Sequence, residues 1–331
     1  MKTYSIARVL LGASLLAAPL ASQAWADGLI KADGSSTVFP ITEAVAEEFQ
    51  KANAGMKVTV GISGTGGGFK KFCRGETDIS NASRPILKKE MDACWESGVQ
   101  YIELPIAYDA LTVVVSPKNT FIESLTVAEL KKMWEPAAQN AVTKWNQVNS
   151  KWPSEPLKLF GAGSDSGTFD YFTEAINGKA KSSRGDYTAS EDDNVLVQGV
   201  ANDAHALGYF GFAYYEENVG KLKAVKIDGG KGPVEPSAAN VDNGTYQPLS
   251  RPIFIYVSKK ALKRPEVAKF VEFFLNDSAK LVKEVGYIPL PADAYATGLA
   301  RAQKGQTGTA FGGKNIIGLT IKEVLAKRLA S

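Results

Sequence analysis

Histidine is almost missing from this chain: His205 is the only one in 331 residues, beside two cysteines, Cys73 and Cys94. That shortage excludes a convincing zinc site and leaves no carboxylate–histidine cluster for two-metal hydrolysis. The sequence also lacks a Gly-x-x-x-x-Gly-Lys-[Ser/Thr] loop and a Gly-x-Ser-x-Gly elbow, so nucleotide hydrolysis and serine-hydrolase chemistry have no scaffold. A preponderance of one charge is missing too, with 38 Lys and Arg against 35 Asp and Glu. A chain so balanced is not built for nucleic acid or a membrane surface, and any anion site in it must be local.

Long apolar runs are confined to the N-terminus. Lys2 and Arg8 supply a positive n-region before an apolar core from Val9 to Leu20, and Ala24-Trp25-Ala26 offers the small-x-small pattern of a cleavage site. This is the pattern of a secretory signal peptide over 1–26, with the mature chain starting near Asp27. No cysteine follows the apolar core, so the expected product is a soluble exported protein without a lipid anchor, in the periplasm. Without these 26 residues, 305 of the 331 remain, and the loss of Lys2 and Arg8 takes the basic count from 38 to 36 against 35 acidic. That length suits two domains. In an oxidising compartment, Cys73 and Cys94 are expected to form a disulfide within the first domain; two buried free thiols are the alternative.

What the sequence does have is an alternation of strand-like and helix-like segments, which predicts an α/β fold. Leu29–Ala32 reads as a strand, followed by Gly34-Ser-Ser-Thr37 and a helix over 40–53, with Ile41, Ala44, Val45 and Phe49 on one face. Ser36 or Thr37 is the predicted N-cap. A second unit repeats the layout: a strand over 56–62, a glycine-rich loop over 63–68 and a short helix over 69–74. A third strand, 77–82, runs into Ser83-Arg84-Pro85. Strand-like runs over 104–116 and 252–258 flank a middle region with helices near 126–134 and 193–206 and an aromatic strand over 208–215. Helices over 265–276 and 321–329 close the chain.

The most informative unit lies in that middle region. A strand over 157–160 leads through Gly161-Ala-Gly-Ser-Asp-Ser-Gly-Thr168 into a helix over 169–177. Small hydroxyl residues therefore fall on a first helical turn, where four backbone N–H groups lack intrahelical partners and favour an anion. Taken singly, Ser35, Ser36, Thr37, Ser166 and Thr168 could be helix caps, and Thr65 with Gly66, Gly67 and Gly68 a tight turn. Three such loops between strand and helix point to one anion cradle at the strand C-termini. Arg84 is the candidate counter-charge, or else half of an ordinary ion pair. Asp165 is a candidate to orient Arg84, to accept a proton from a protonated oxyanion, or to cap its own helix. His205, between two alanines near a helix end, reads as structural.

Several of these stretches carry a family resemblance. Gly34-Ser-Ser-Thr-Val-Phe-Pro40, Gly64-Thr-Gly-Gly-Gly68, Asp78-Ile-Ser-Asn-Ala-Ser-Arg-Pro85, Ser164-Asp-Ser-Gly-Thr168, Gly208-Tyr-Phe-Gly-Phe-Ala-Tyr-Tyr215 and Pro252-Ile-Phe-Ile-Tyr-Val257 occur in order across nearly the whole mature chain. Together the set resembles the periplasmic phosphate-binding proteins of high-affinity phosphate ABC transporters. The resemblance implies a type II periplasmic-binding-protein fold, with lobe I over 27–108 plus 252–331 and lobe II over 109–251, joined by two chain crossings. It implies a monomer that is no enzyme, needs no cofactor, captures inorganic phosphate between the lobes and delivers it to a membrane permease. By the same resemblance, Thr37, Val38 through its backbone, Thr65, Ser166, Gly167 and Thr168 contact phosphate, and Ser36, Ser83, Arg84 and Asp165 complete the expected set.

Two positions depart from the family pattern. Ser83 stands where many members have aspartate, and Ala162 where they have arginine, which makes Arg84 and Asp165 the candidates for a relocated charged pair. Sulfate, molybdate or a phosphonate are alternative ligands on the same fold. A secreted phosphatase using Ser166, and a surface-interaction protein using the aromatics 209–215, are the alternatives outside it.

Overall fold

The computed structural model describes residues 28–164, 166–190, 192–316 and 318–330. The signal-peptide expectation for 1–26 and the roles proposed for Asp165 lie outside the described residues. The chain opens with β1 (Leu29–Gly34), α1 (Phe39–Ala52), β2 (Lys57–Ile62), α2 (Gly64–Cys73), β3 (Ile79–Ala82) and α3 (Lys88–Glu96). Strands β2, β1 and β3 lie side by side and parallel, so the loops leaving their C-terminal ends are neighbours by construction. Helix α1 buries Ile41, Val45 and Phe49 as its spacing predicts, and Phe49 meets Phe270 edge-on at 5.1 Å.

Strand β4 (Tyr101–Val115) is buried along all 15 residues and belongs to both halves of the molecule. The middle region then supplies β5 (Ser124–Thr126), α4 (Val127–Trp134), α5 (Trp145–Val148), β6 (Lys158–Ala162), α6 (Gly167–Asn177), β7 (Thr188–Ser190), α7 (Asp193–Asn202), β8 (Ala206–Gly211) and α8 (Phe212–Glu216). Short elements β9 (Lys223–Ala224), β10 (Lys226–Asp228), β11 (Pro233–Val234) and α9 (Ala238–Asp242) follow. Strand β12 (Ser250–Ser258) returns the chain to the first half, where α10 (Pro265–Glu284), β13 (Ile288–Pro289), α11 (Ala292–Gln303) and α12 (Ile321–Ala326) complete it.

The main sheet runs β2-β1-β3-β12-β4-β8-β6-β7. Up to Ala110, β4 pairs antiparallel with β12; from Leu111 it pairs with β8 instead. The chain therefore crosses between the halves twice, once along β4 and once at the start of β12. The result is a mixed α/β periplasmic-binding-protein fold of two lobes. The β4–β12 ladder shifts register between Ile253 and Phe254, opposite the segment holding Pro105, a residue with no N–H to give the ladder.

Cys73 and Cys94 form the disulfide that joins the end of α2 to α3. Several predicted boundaries move. The glycine-rich stretch is not a loop: Gly64 to Gly68 are the first turn and more of α2. The reason is close packing, since a Cβ on Gly68 would fall 2.6 Å from Gly34 Cα and 3.0 Å from Ser80 Oγ. Glycine here lets the helix lie directly on the strands. The N-cap of α1 is Val38, without a side-chain cap, rather than Ser36 or Thr37. The aromatic strand ends at Gly211 and turns into α8; Tyr209 and Phe210 are fully buried, and Tyr209 stacks on Phe172 at 3.7 Å. The helix predicted from 265 continues to Glu284, while those predicted over 193–206 and 321–329 stop at Asn202 and Ala326.

Candidate anion site between the lobes

Three hydroxyl-bearing segments converge where the lobes meet. In the first lobe, the Ser35 N–H donates to Asn81 O at 2.9 Å, fixing the turn after β1 beside β3. The Ser35 hydroxyl accepts from the Thr37 N–H at 3.2 Å, and Thr37 and Val38 are buried at the start of α1. At the start of α2, Thr65 Oγ1 accepts from the Ser83 N–H at 3.1 Å and lies 3.0 Å from Ser83 Oγ. These bonds lock the first turn of α2 to the end of β3. In the second lobe, Ser166 is the N-cap of α6 and its hydroxyl accepts from the Thr168 N–H at 3.1 Å.

The two lobes touch at this point. A Cβ on Gly167 would fall 2.6 Å from Thr37 Oγ1 and 2.7 Å from Thr37 N, so only glycine lets the first turn of α6 reach the first turn of α1. Two helix N-termini facing each other at this distance concentrate N–H groups and positive dipole ends on one small volume. A compact anion is the partner such a volume favours. Of the other expected residues, Ser36 sits half-buried in the turn between β1 and α1, and Ala162, the position of the second departure, is buried with its carbonyl accepting from Tyr187 Oη at 2.9 Å.

Arg84 stands on the wall of this site, and its fork is already occupied. Its Nη1 and Nη2 donate to the two oxygens of Glu90 at 2.9 Å and 2.8 Å. Burial opposes the guanidinium charge, yet Glu90 outweighs it and raises the Arg84 pKa above its ordinary value. The ion-pair reading of Arg84 is therefore the one realised among its contacts, though within the cleft rather than on an open surface. Glu90, six positions after Arg84, also accepts from the Leu87 N–H at the start of α3, which packs against α2.

Beside Ser83 and Arg84 opens a cavity of about 160 Å³ that also reaches Tyr171, Glu174, Arg251 and Ile316. Arg251, at the start of β12, lies with its guanidinium carbon 3.6 Å from the centre of the Tyr171 ring. Its Nε is 3.4 Å from Asp109 Oδ2 and its Nη1 3.5 Å from Glu174 Oε2. Burial pushes the Asp109 carboxyl above its usual range, with Arg251 pulling it down. Arg251 was missed because Arg-Pro at the head of a strand reads as a boundary. His205 lies away from these groups, with Nε2 3.6 Å from Glu155 and its carbonyl accepting from Trp145 Nε1 at 3.1 Å.

Known proteins are similar to this chain along most of its length. The model of the PBP superfamily domain matches residues 21–278. The chain is 57% identical over 298 residues to protein SphX of Synechococcus elongatus, covering 90% of this chain and 88% of that one. It is 41% identical over 295 residues to the phosphate-binding protein PstS of Staphylococcus saprophyticus, covering 86% and 89%. Among solved structures, a possible phosphate binding protein from Planctomyces limnophilus superposes with a TM-score of 0.81 at 55% identity, covering 85% of this chain and 99% of that one.

Proposed function

We propose that this chain, which belongs to the PBP superfamily, captures inorganic phosphate in the cleft between its lobes and delivers it to the membrane permease of an ABC transporter. The observation that carries the proposal is the meeting of the α1 and α6 first turns at Thr37 and Gly167. The relatives' names support phosphate as the anion: SphX and PstS match along most of the chain, and PstS is named for phosphate binding.

In this reading the lobes comprise 27–108 plus 252–331 and 109–251. Lobe I offers Ser36, Thr37, the Val38 backbone, Thr65 and Ser83; lobe II offers Asp165, Ser166, Gly167 and Thr168. Backbone N–H groups and hydroxyls replace the water around the anion, and closure excludes solvent, which strengthens each charge-assisted bond. Because Glu90 offsets the charge of Arg84, affinity rests more on N–H dipoles and hydroxyls than on a free guanidinium. Asp165 is assigned the discrimination: a carboxylate accepts the proton that phosphate keeps near neutral pH, whereas sulfate has none to give and is repelled. The protein works in the periplasm, exported by a cleavable signal peptide over 1–26, as a monomer that performs no chemistry on its ligand.

Isothermal calorimetry with phosphate, sulfate and molybdate tests the proposal. Tight phosphate binding with silent sulfate is expected, and Asp165→Asn is expected to weaken phosphate and admit sulfate. Sulfate or molybdate binding in preference to phosphate would transfer the site to that anion.

A further inference from the structure

Arg251 occupies an unusual place in the fold. It faces Asp109 across the β4–β12 ladder, one step before β4 leaves β12 for β8, so it sits at the point where the two lobes part. From there its guanidinium reaches over Tyr171 at 3.6 Å and approaches Glu174 at 3.5 Å. Both residues belong to α6, whose first turn carries Ser166, Gly167 and Thr168. Tyr171 and Glu174 follow Thr168 by three and six positions, which places them one and nearly two turns below the cradle on one side of the helix. The Tyr171 hydroxyl donates to Pro248 O at 2.7 Å, adding a second tie between α6 and the segment that enters β12.

We infer that Arg251 is a positioning residue for anion capture: it clasps α6 to the crossing strands when the lobes are closed, and so holds the Ser166–Thr168 turn against Thr37. The inference rests on the phosphate reading of that turn. The groups facing the guanidinium are one buried carboxyl, Asp109, one half-exposed carboxylate, Glu174, and the flat face of an aromatic ring. A guanidinium suits this set because it stacks and pairs at once, which a lysine cannot do. The clasp touches no cradle atom. It therefore acts on how long the closed form lasts rather than on how the open form meets its ligand.

Stopped-flow tryptophan fluorescence with inorganic phosphate separates the two rates. The double variant Arg251→Gln with Asp109→Asn, which leaves no buried unpaired charge, is expected to release phosphate roughly tenfold faster with association within about twofold of the parent. Tyr171→Leu should do the same, while Tyr171→Phe, which keeps the ring under Arg251 but loses the bond to Pro248 O, should release phosphate faster than the parent but more slowly than Tyr171→Leu. Release unchanged in the Arg251 pair variant or in Tyr171→Leu overturns the clasp, as does a loss confined to association. Should the pair variant not fold, Tyr171→Leu against Tyr171→Phe decides alone. A parent protein that binds no phosphate instead refutes the functional reading beneath it.

Discussion

Gly167 is the residue on which closure depends most sharply. Its backbone angle makes no special demand; what matters is that nothing larger than hydrogen fits against Thr37. Gly167→Ala is expected to lower phosphate affinity at least tenfold, measured by calorimetry, because a Cβ so close to backbone must push the lobes apart. Unfolding of the ligand-free protein should change little, since the open form relieves the clash. The hydroxyl residues around it were legible because each stands at or just before the start of a helix. Arg251 was not, because its partners Asp109 and Glu174 lie far away in the chain and leave no trace in local spacing; Glu90, only six residues from Arg84, was not read as its partner. Arg184 shows the same limit away from the site, because it donates to the distant carbonyls of Met133 and Val142. Arg184 is buried and paired with Asp186 at 2.6 Å, and its hydrogen bonds hold the Asp186 carboxyl down to about 2. A carboxyl with a depressed folded pKa stabilises above its unfolded value and loses that contribution as the pH falls through about 2. Asp186→Asn should therefore cost about 1–2 kcal/mol in urea unfolding at neutral pH, and the difference from the parent should fade on acidification.

Among elements, α2 departs most from expectation. Five residues rich in glycine read as a turn because glycine disfavours helix, by about 1 kcal/mol relative to alanine. Tertiary packing overrides that preference here: the helix must lie on β1 and β3 so that Thr65 reaches Ser83. A helix with such weak intrinsic propensity needs support from elsewhere. Its far end has it, in the Cys73–Cys94 bridge to α3, which closes a loop of 21 positions. Replacing both cysteines by serine should lower stability by roughly 3 kcal/mol, and a thermal melt with and without reductant should show the parent shifted and the variant insensitive. Helix α1, by contrast, was plain in the sequence, because its apolar spacing and its place in the fold agree.

At the scale of the molecule, the alternation of strands and helices was enough to give an α/β protein, and the flanking strands 104–116 and 252–258 marked where the chain changes lobe. How the lobes meet was not readable, since β4 serves both and its change of partner at Ala110 and Leu111 is a property of the sheet, not of any run of residues. That change of partner is where the two halves join; Arg251 stands beside it, and α6 meets the start of α1 at Gly167 and Thr37. The account's central claim is that an anion sits between those two helices. A crystal structure of the protein grown with inorganic phosphate tests it most directly. The account predicts one tetrahedral anion bounded by Thr37, Val38, Thr65, Ser166, Gly167 and Thr168, with both first turns donating to it. Phosphate lodged instead in the neighbouring cavity between Arg84 and Arg251, or closed lobes with no anion between them, would contradict it.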